Sequence, residues 1–170
     1  MRPFIFPILL LAACSSEDVT ESPGTKPDRA AAGIVDLSTR DKGPEPEYVT
    51  VDHILIGVRS ADMPKGLPQK EAAALVETIL DELASGGSWF DLKQKHSNDP
   101  GSKDVRGGPY AMSNNNALRR ADVTPRGKMV NAFGDIGFRL EVGEIAVAPY
   151  KVARGPGWSP FGYHIIKRVK

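Results

Sequence analysis

The residues of this chain with the clearest chemical capacity are its three histidines, at positions 53, 96 and 164. A neutral histidine donates from one ring nitrogen and accepts at the other. Three histidines raise the question of zinc. The chain has no tight ligand spacing, however, and His96 ends a helix beside Lys93 and Lys95, so no metal and no cofactor is expected. Gly86-Gly87 and Gly107-Gly108 are not phosphate loops, because neither leads into the lysine or glycine fingerprint which that chemistry needs. Taken singly, His53 or His164 reads as a satisfied strand residue, and Asp99 as the start of a turn before Pro100. Chemistry requires that the fold bring them together.

The elements that must do so are legible in part. Tyr48 to Val58 is β-branched and apolar and ends at a glycine and polar residues, which predicts a strand carrying His53. Ala72, Val76, Ile79 and Leu83 recur at helical spacing, with Leu75 and Leu80 widening the stripe. Pro68 fits the first turn of that helix and Gly86-Gly87 its end. Ser88, with Asp91 three residues on, predicts the cap of a second, shorter helix containing Trp89, Phe90 and Leu92. Residues 98–102 and 106–109 carry turn chemistry. A third helix is predicted from Arg126 to about Ile136, then strands over 142–148 and 163–169, the last carrying His164. This order implies an α+β domain with helices on a mainly antiparallel sheet.

At 170 residues the chain suffices for one ordinary domain with extensions. A formal net charge of +1 gives no reason to expect nucleic acid. Residues 15–47 hold eight acids and four bases with few apolar side chains. Their one apolar cluster, Ile34, Val35 and Leu37, is too small for a core of its own, which predicts a flexible tether over residues 14–47 and a folded domain over 48–170. At the start, Arg2 precedes an apolar run, Phe4 to Ala13, too short to span a bilayer. Leu11-Ala12-Ala13-Cys14 resembles a bacterial lipoprotein signal, which implies removal of residues 1–13 and acylation of Cys14, the only cysteine. Two or more acyl chains would anchor the protein at a membrane. With Ser15 and Ser16 following, the resemblance implies an outer-membrane location facing the periplasm. An acylated Cys14 also leaves no thiol for a disulfide or a cysteine nucleophile.

Several segments together resemble the parvulin-type peptidyl-prolyl cis/trans isomerases. They are Val51-Asp52-His53-Ile54-Leu55, Gly87 to Leu92, Ser97 to Ser102, Gly107-Gly108, Phe133 with Phe138 to Ile145, and Gly162 to Ile166, in the family's order. The resemblance implies a four-stranded, mainly antiparallel sheet surrounded by helices, with a shallow cleft for an extended proline-containing peptide. It assigns His53 and His164 to a central histidine pair and Asp99 to a position where members carry aspartate or cysteine. Met129 and Phe133 match the residues that receive the proline ring, and Phe138 lines or supports that pocket. The implied partners are proline-containing segments of exported proteins that are folding. The chain departs from the family at Pro109-Tyr110-Ala111, where members usually have aspartate, leucine and glycine, and in the longer hairpin 154–160. The first departure keeps open the alternative of a peptide-binding envelope chaperone without catalysis.

Overall fold

The computed structural model describes residues 26–99, 101, 109–152 and 158–170. The expected signal peptide, Cys14, Gly107-Gly108 and most of the long hairpin lie outside them. Strand β1, Tyr48–Gly57, runs through the centre of the sheet. Successive side chains on a strand face opposite ways. Val49 and Val51 therefore join one apolar cluster, and Ile54 and Ile56 the other. Burial on both faces is why the strand reads as nearly continuous apolar sequence.

Helix α1, Gln69–Ala84, buries Ala72, Val76, Ile79 and Leu80 against the second face. It starts after Pro68, whose carbonyl accepts from Ala72 N at 2.9 Å. It stops where Gly86 adopts φ +89°, a left-handed conformation natural to glycine. Helix α2, Trp89–His96, lies on the same face and has the expected cap, with Asp91 N donating to Ser88 Oγ at 3.3 Å. Lys93, expected on an exposed helix surface, is buried instead, because its ammonium meets Asp52 Oδ1 at 2.8 Å. Trp89 Nε1 donates to Asp52 Oδ2 at 2.9 Å, so the buried carboxylate is satisfied on both oxygens.

Strand β2, Tyr110–Ser113, pairs antiparallel with residues 48–51 of β1. The two-residue strand β3, Thr124–Pro125, pairs parallel with β2. Strand β4, Ile145–Ala148, and strand β5, Gly162–Arg168, complete the order β3-β2-β1-β5-β4. The sheet thus has five strands and is mixed, where the resemblance implied four. A two-residue strand ending in proline carries no periodicity by which to find it.

The third expected helix is broken in two. A 3-10 turn, Arg126–Lys128, is followed by two extended residues, Met129 and Val130, and then by helix α3, Asn131–Gly137. Gly127, Gly134 and Gly137 weaken a continuous helix, and the extended pair lets Met129 and Val130 both pack on the first cluster. Arg126 spans the break by pairing with Asp135 at 2.8 Å and with Glu45.

The expectation of a free tether up to residue 47 also needs correction. Gly33 O accepts from Ile145 N, and Val35 N donates to Ile145 O, both at 2.8 Å, so this strap covers the first residues of edge strand β4. Leu37 is only 6% exposed and belongs to the first cluster. Arg29 pairs with Glu77 and Asp81 of α1, each at 2.8 Å, and Arg40 makes a two-pronged pair with Glu144. Three apolar residues cannot form a core of their own, but they can finish one by covering an open sheet edge.

Candidate active site

The first face of the sheet, covered by α3, holds the site. On that face the register sets His53 beside Ile166 on β5, and His164, two residues back, follows Ile166 on the same side. The two histidine rings lie 5.3 Å apart and perpendicular, and both residues are buried. Phe133 rises from α3 against both, edge-on to His53 at 4.7 Å and to His164 at 6.0 Å.

Asp99 arrives from the turn after α2. Where β1 runs past the end of β2, that turn takes over its open edge. Asn98 N donates to Leu55 O at 2.7 Å, Gly57 N to Asn98 Oδ1 at 2.8 Å, and Leu55 N to the fully buried Ser97 Oγ at 3.2 Å. A side-chain mimic of strand pairing therefore fixes the turn to Leu55 and Gly57, two and four residues beyond His53 on β1. Asp99 Oδ2 comes to lie 2.8 Å from His53 Nε2, and Asp99 Oδ1 accepts from Gly101 N at 3.0 Å. Hydrogen bonding from His53 outweighs the opposing effect of burial and lowers the carboxyl to about 2. Asp99 is thus an anion at neutral pH, partly exposed at the rim of a buried ring cluster.

His164 is set apart from solvent. Its Nε2 lies 2.9 Å from Ser159 Oγ, which also accepts from Phe161 N at 3.2 Å. Burial first, and then the nearby His53, lower this imidazole to about 3, so it is neutral at pH 7. The Nδ1 atoms of both histidines are buried without a hydrogen-bond partner among the described residues. Such unsatisfied atoms are uncommon in folded proteins and concentrate where function holds them.

Three of the residues singled out in the sequence, His53, Asp99 and His164, are therefore brought together around Phe133. Met129 packs against the same cluster and is partly buried. Phe133 is only 2% exposed, so it forms the floor of the site. Phe138 is equally buried, and its ring carries the Arg126 guanidinium at 5.0 Å, a supporting position. Among the described residues, no three His, Cys, Asp or Glu side chains group as metal ligands. Sequence reasoning missed Tyr110, Ser97, Asn98 and Ser159 as parts of the site. Tyr110 stacks on His53 at 5.5 Å and 10°, meets Phe133 edge-on at 5.6 Å, and donates its hydroxyl to Asp99 Oδ2 at 3.1 Å. Its only signal in the sequence was the departure from the family pattern at 109–111.

Comparison with known proteins identifies the family and agrees with the fold. Residues 34–170 match the PPIC-type PPIase domain, a span that begins inside the strap. Chaperone SurA of Chromohalobacter salexigens is 33% identical over 135 residues, covering 77% of this chain and 25% of that protein. Foldase protein PrsA 4 of Bacillus cereus is 37% identical over 89 residues, covering 52% of this chain and 25% of that protein. The chain thus spans about a quarter of the length of these two relatives. The solution structure of TbPIN1 has the same fold, with a TM-score of 0.53 at 19% identity over 73% of this chain and 98% of that one. With a match over most of its length and the histidine pair set on the central strands of the sheet, the chain belongs to the PPIC-type, or parvulin, family of PPIase domains.

Proposed function

We propose that this domain is a peptidyl-prolyl cis/trans isomerase that assists the folding of exported proteins. The observation that carries the reading is the anionic Asp99 held 2.8 Å from His53 above a floor of Phe133. Rotation about an X–Pro bond faces a barrier of about 20 kcal/mol, set by resonance between the carbonyl and the ring nitrogen. No bond to carbon needs to form or break. A site that binds the twisted amide better than either planar form lowers the barrier by differential binding alone.

The division of labour follows from the chemistry of each group. Met129, which is partly buried, offers apolar surface to the pyrrolidine ring above the Phe133 floor, and this fixes one side of the bond while the preceding carbonyl turns. Moving the amide out of water favours the twisted state, which has less charge separation than the planar one. His53 and the neutral His164 shape the floor and set its polarity. Asp99 acts through its charge and hydrogen bonding. An ester at Asp99 would do nothing for rotation about the C–N bond, so a nucleophilic role has no use here. Asp99→Asn keeps the shape and removes the charge, and it is expected to lower kcat/KM for a short proline peptide about tenfold or more. A protease-coupled assay measures this, with circular dichroism as the folding control. Equal rates for Asp99→Asn and the parent from pH 5 to 8 would reduce Asp99 to a turn residue.

The departure at Pro109-Tyr110-Ala111 carries the second reading, a peptide-binding chaperone without catalysis. The same assay separates the two. The chaperone reading expects peptide binding by NMR titration with no rise in the exchange rate of the bound proline bond.

The location belongs to the same proposal. Acylation of Cys14 after loss of residues 1–13 would place the domain in the cell envelope, on an outer membrane facing the periplasm, where segments of exported proteins are its partners. No helix among the described residues is long and apolar enough to cross a membrane. Cys14→Ser is expected to release the protein from membranes into the soluble fraction. Mass spectrometry of the mature N-terminus decides the matter, and an unmodified start at any other residue would defeat it.

A further inference from the structure

We propose that Tyr110 is a positioning residue of this site, whose hydroxyl holds the Asp99 carboxylate in its place against His53. The inference deepens the isomerase reading and rests on it for its catalytic meaning, while its structural content can be tested separately. Asp99 is gripped from three directions. His53 of β1 lies 2.8 Å from Oδ2, Tyr110 of β2 donates to the same oxygen at 3.1 Å, and Gly101 N donates to Oδ1 at 3.0 Å. Tyr110 adds a second donor to the oxygen that faces His53, from a different strand, and so narrows the rotation of the carboxylate about its last torsion. It can do so because its own ring is fixed, stacked on His53 and edge-on to Phe133.

The hydroxyl is suited to the task. Burial first, and then the neighbouring Asp99, raise the phenol to about 12, so it remains a donor throughout the pH range in which the protein works. Among the described residues, the ionisable groups that act on this corner are His53 from β1, His164 from β5, and Asp52 from the other face of β1. None can replace the phenol, since His53 is already engaged with Asp99, His164 is neutral, and Asp52 is an acceptor committed to Trp89 and Lys93. The departure at 109–111 thus gains a physical reason. Where the family usually has leucine, which can only pack, this chain has a ring that packs and also donates.

Tyr110→Phe keeps the ring and removes the donor. Carbon-detected NMR of the Asp99 carboxyl is expected to show its titration midpoint moving up from about 2 toward the ordinary carboxylate range. Exchange of a bound proline peptide is expected to slow about threefold to tenfold at pH 7. The acid limb of the rate profile should move to higher pH, which a loss of packing alone would not produce. In an Asp99→Ala background, Tyr110→Phe should have no further effect on rate. An unmoved Asp99 midpoint, or a rate loss that persists without Asp99, overturns the proposal. If Tyr110→Phe does not fold, Tyr110→Leu supplies the residue usual in the family and should raise the Asp99 midpoint in the same way. A parent that binds peptide without isomerising it would sink the isomerase reading, and the Asp99 midpoint would still decide the role of Tyr110.

Discussion

Phe133→Ala is expected to destabilise the domain by about 3–5 kcal/mol, the range for removing a fully buried phenylalanine from a packed core. Phe133 is 2% exposed and meets three rings, His53, Tyr110 and His164, each within 6.0 Å. Alanine would leave a cavity against two buried histidines whose Nδ1 atoms already lack partners among the described residues. The neighbouring side chains cannot collapse into that space without breaking the contact between His53 and Asp99. Urea melts followed by circular dichroism measure the loss, with Phe133→Leu as the milder companion. Peptide affinity must then be read by NMR on the fraction that remains folded. Affinity equal to the parent in a folded Phe133→Ala would remove this residue from the proline pocket.

The second large effect is expected from the other end of the chain. A protein that begins at Glu47 lacks Leu37, the bridge to Ile145 and the Arg29 and Arg40 ion pairs. It should be less stable by about 2–4 kcal/mol than one that begins at residue 26. Most of that comes from re-exposing Leu37 and the apolar surface beneath it, and from the unpaired N–H and C=O of Ile145. The ion pairs are partly exposed and add little. Coincident thermal melts would mean that the strap rests on the domain without supporting it.

How much was legible in the sequence depended on how many residues carried each signal. Strand β1, helix α1 and the Ser88 cap each drew on a long apolar pattern or a paired motif, and they formed where expected. Strands β2 and β3 have four and two residues, too short for a period to emerge beside the turns around them. The break at Met129 and Val130 was hidden because its residues have the right spacing for a helix, and only their packing on the first cluster reveals the extended pair. The strap was misread because its three apolar residues were weighed as a core in themselves. Their stabilising partners are the edge of β4, more than 100 residues away in sequence, and the two apolar clusters, which gather residues from along the rest of the chain. At the site, His53, Asp99 and His164 were found through the family pattern, since nothing in their own spacing brings them together. Tyr110 was invisible to that method because it breaks the pattern.

The central pairing of the sheet bears on when the domain can fold. Strand β1 lies between β2 and β5, and its longer partner is β5, with Val51 opposite Arg168 and Gly57 opposite Gly162. Closing that pair joins residues more than 100 positions apart, so its loop entropy is met before any of its contacts are gained. His53, at the heart of the site, sits in the same pairing opposite Ile166. During synthesis from the N-terminus, the domain has no finished sheet until β5 emerges. It gains its central pairing and its histidine pair together, when that strand joins β1.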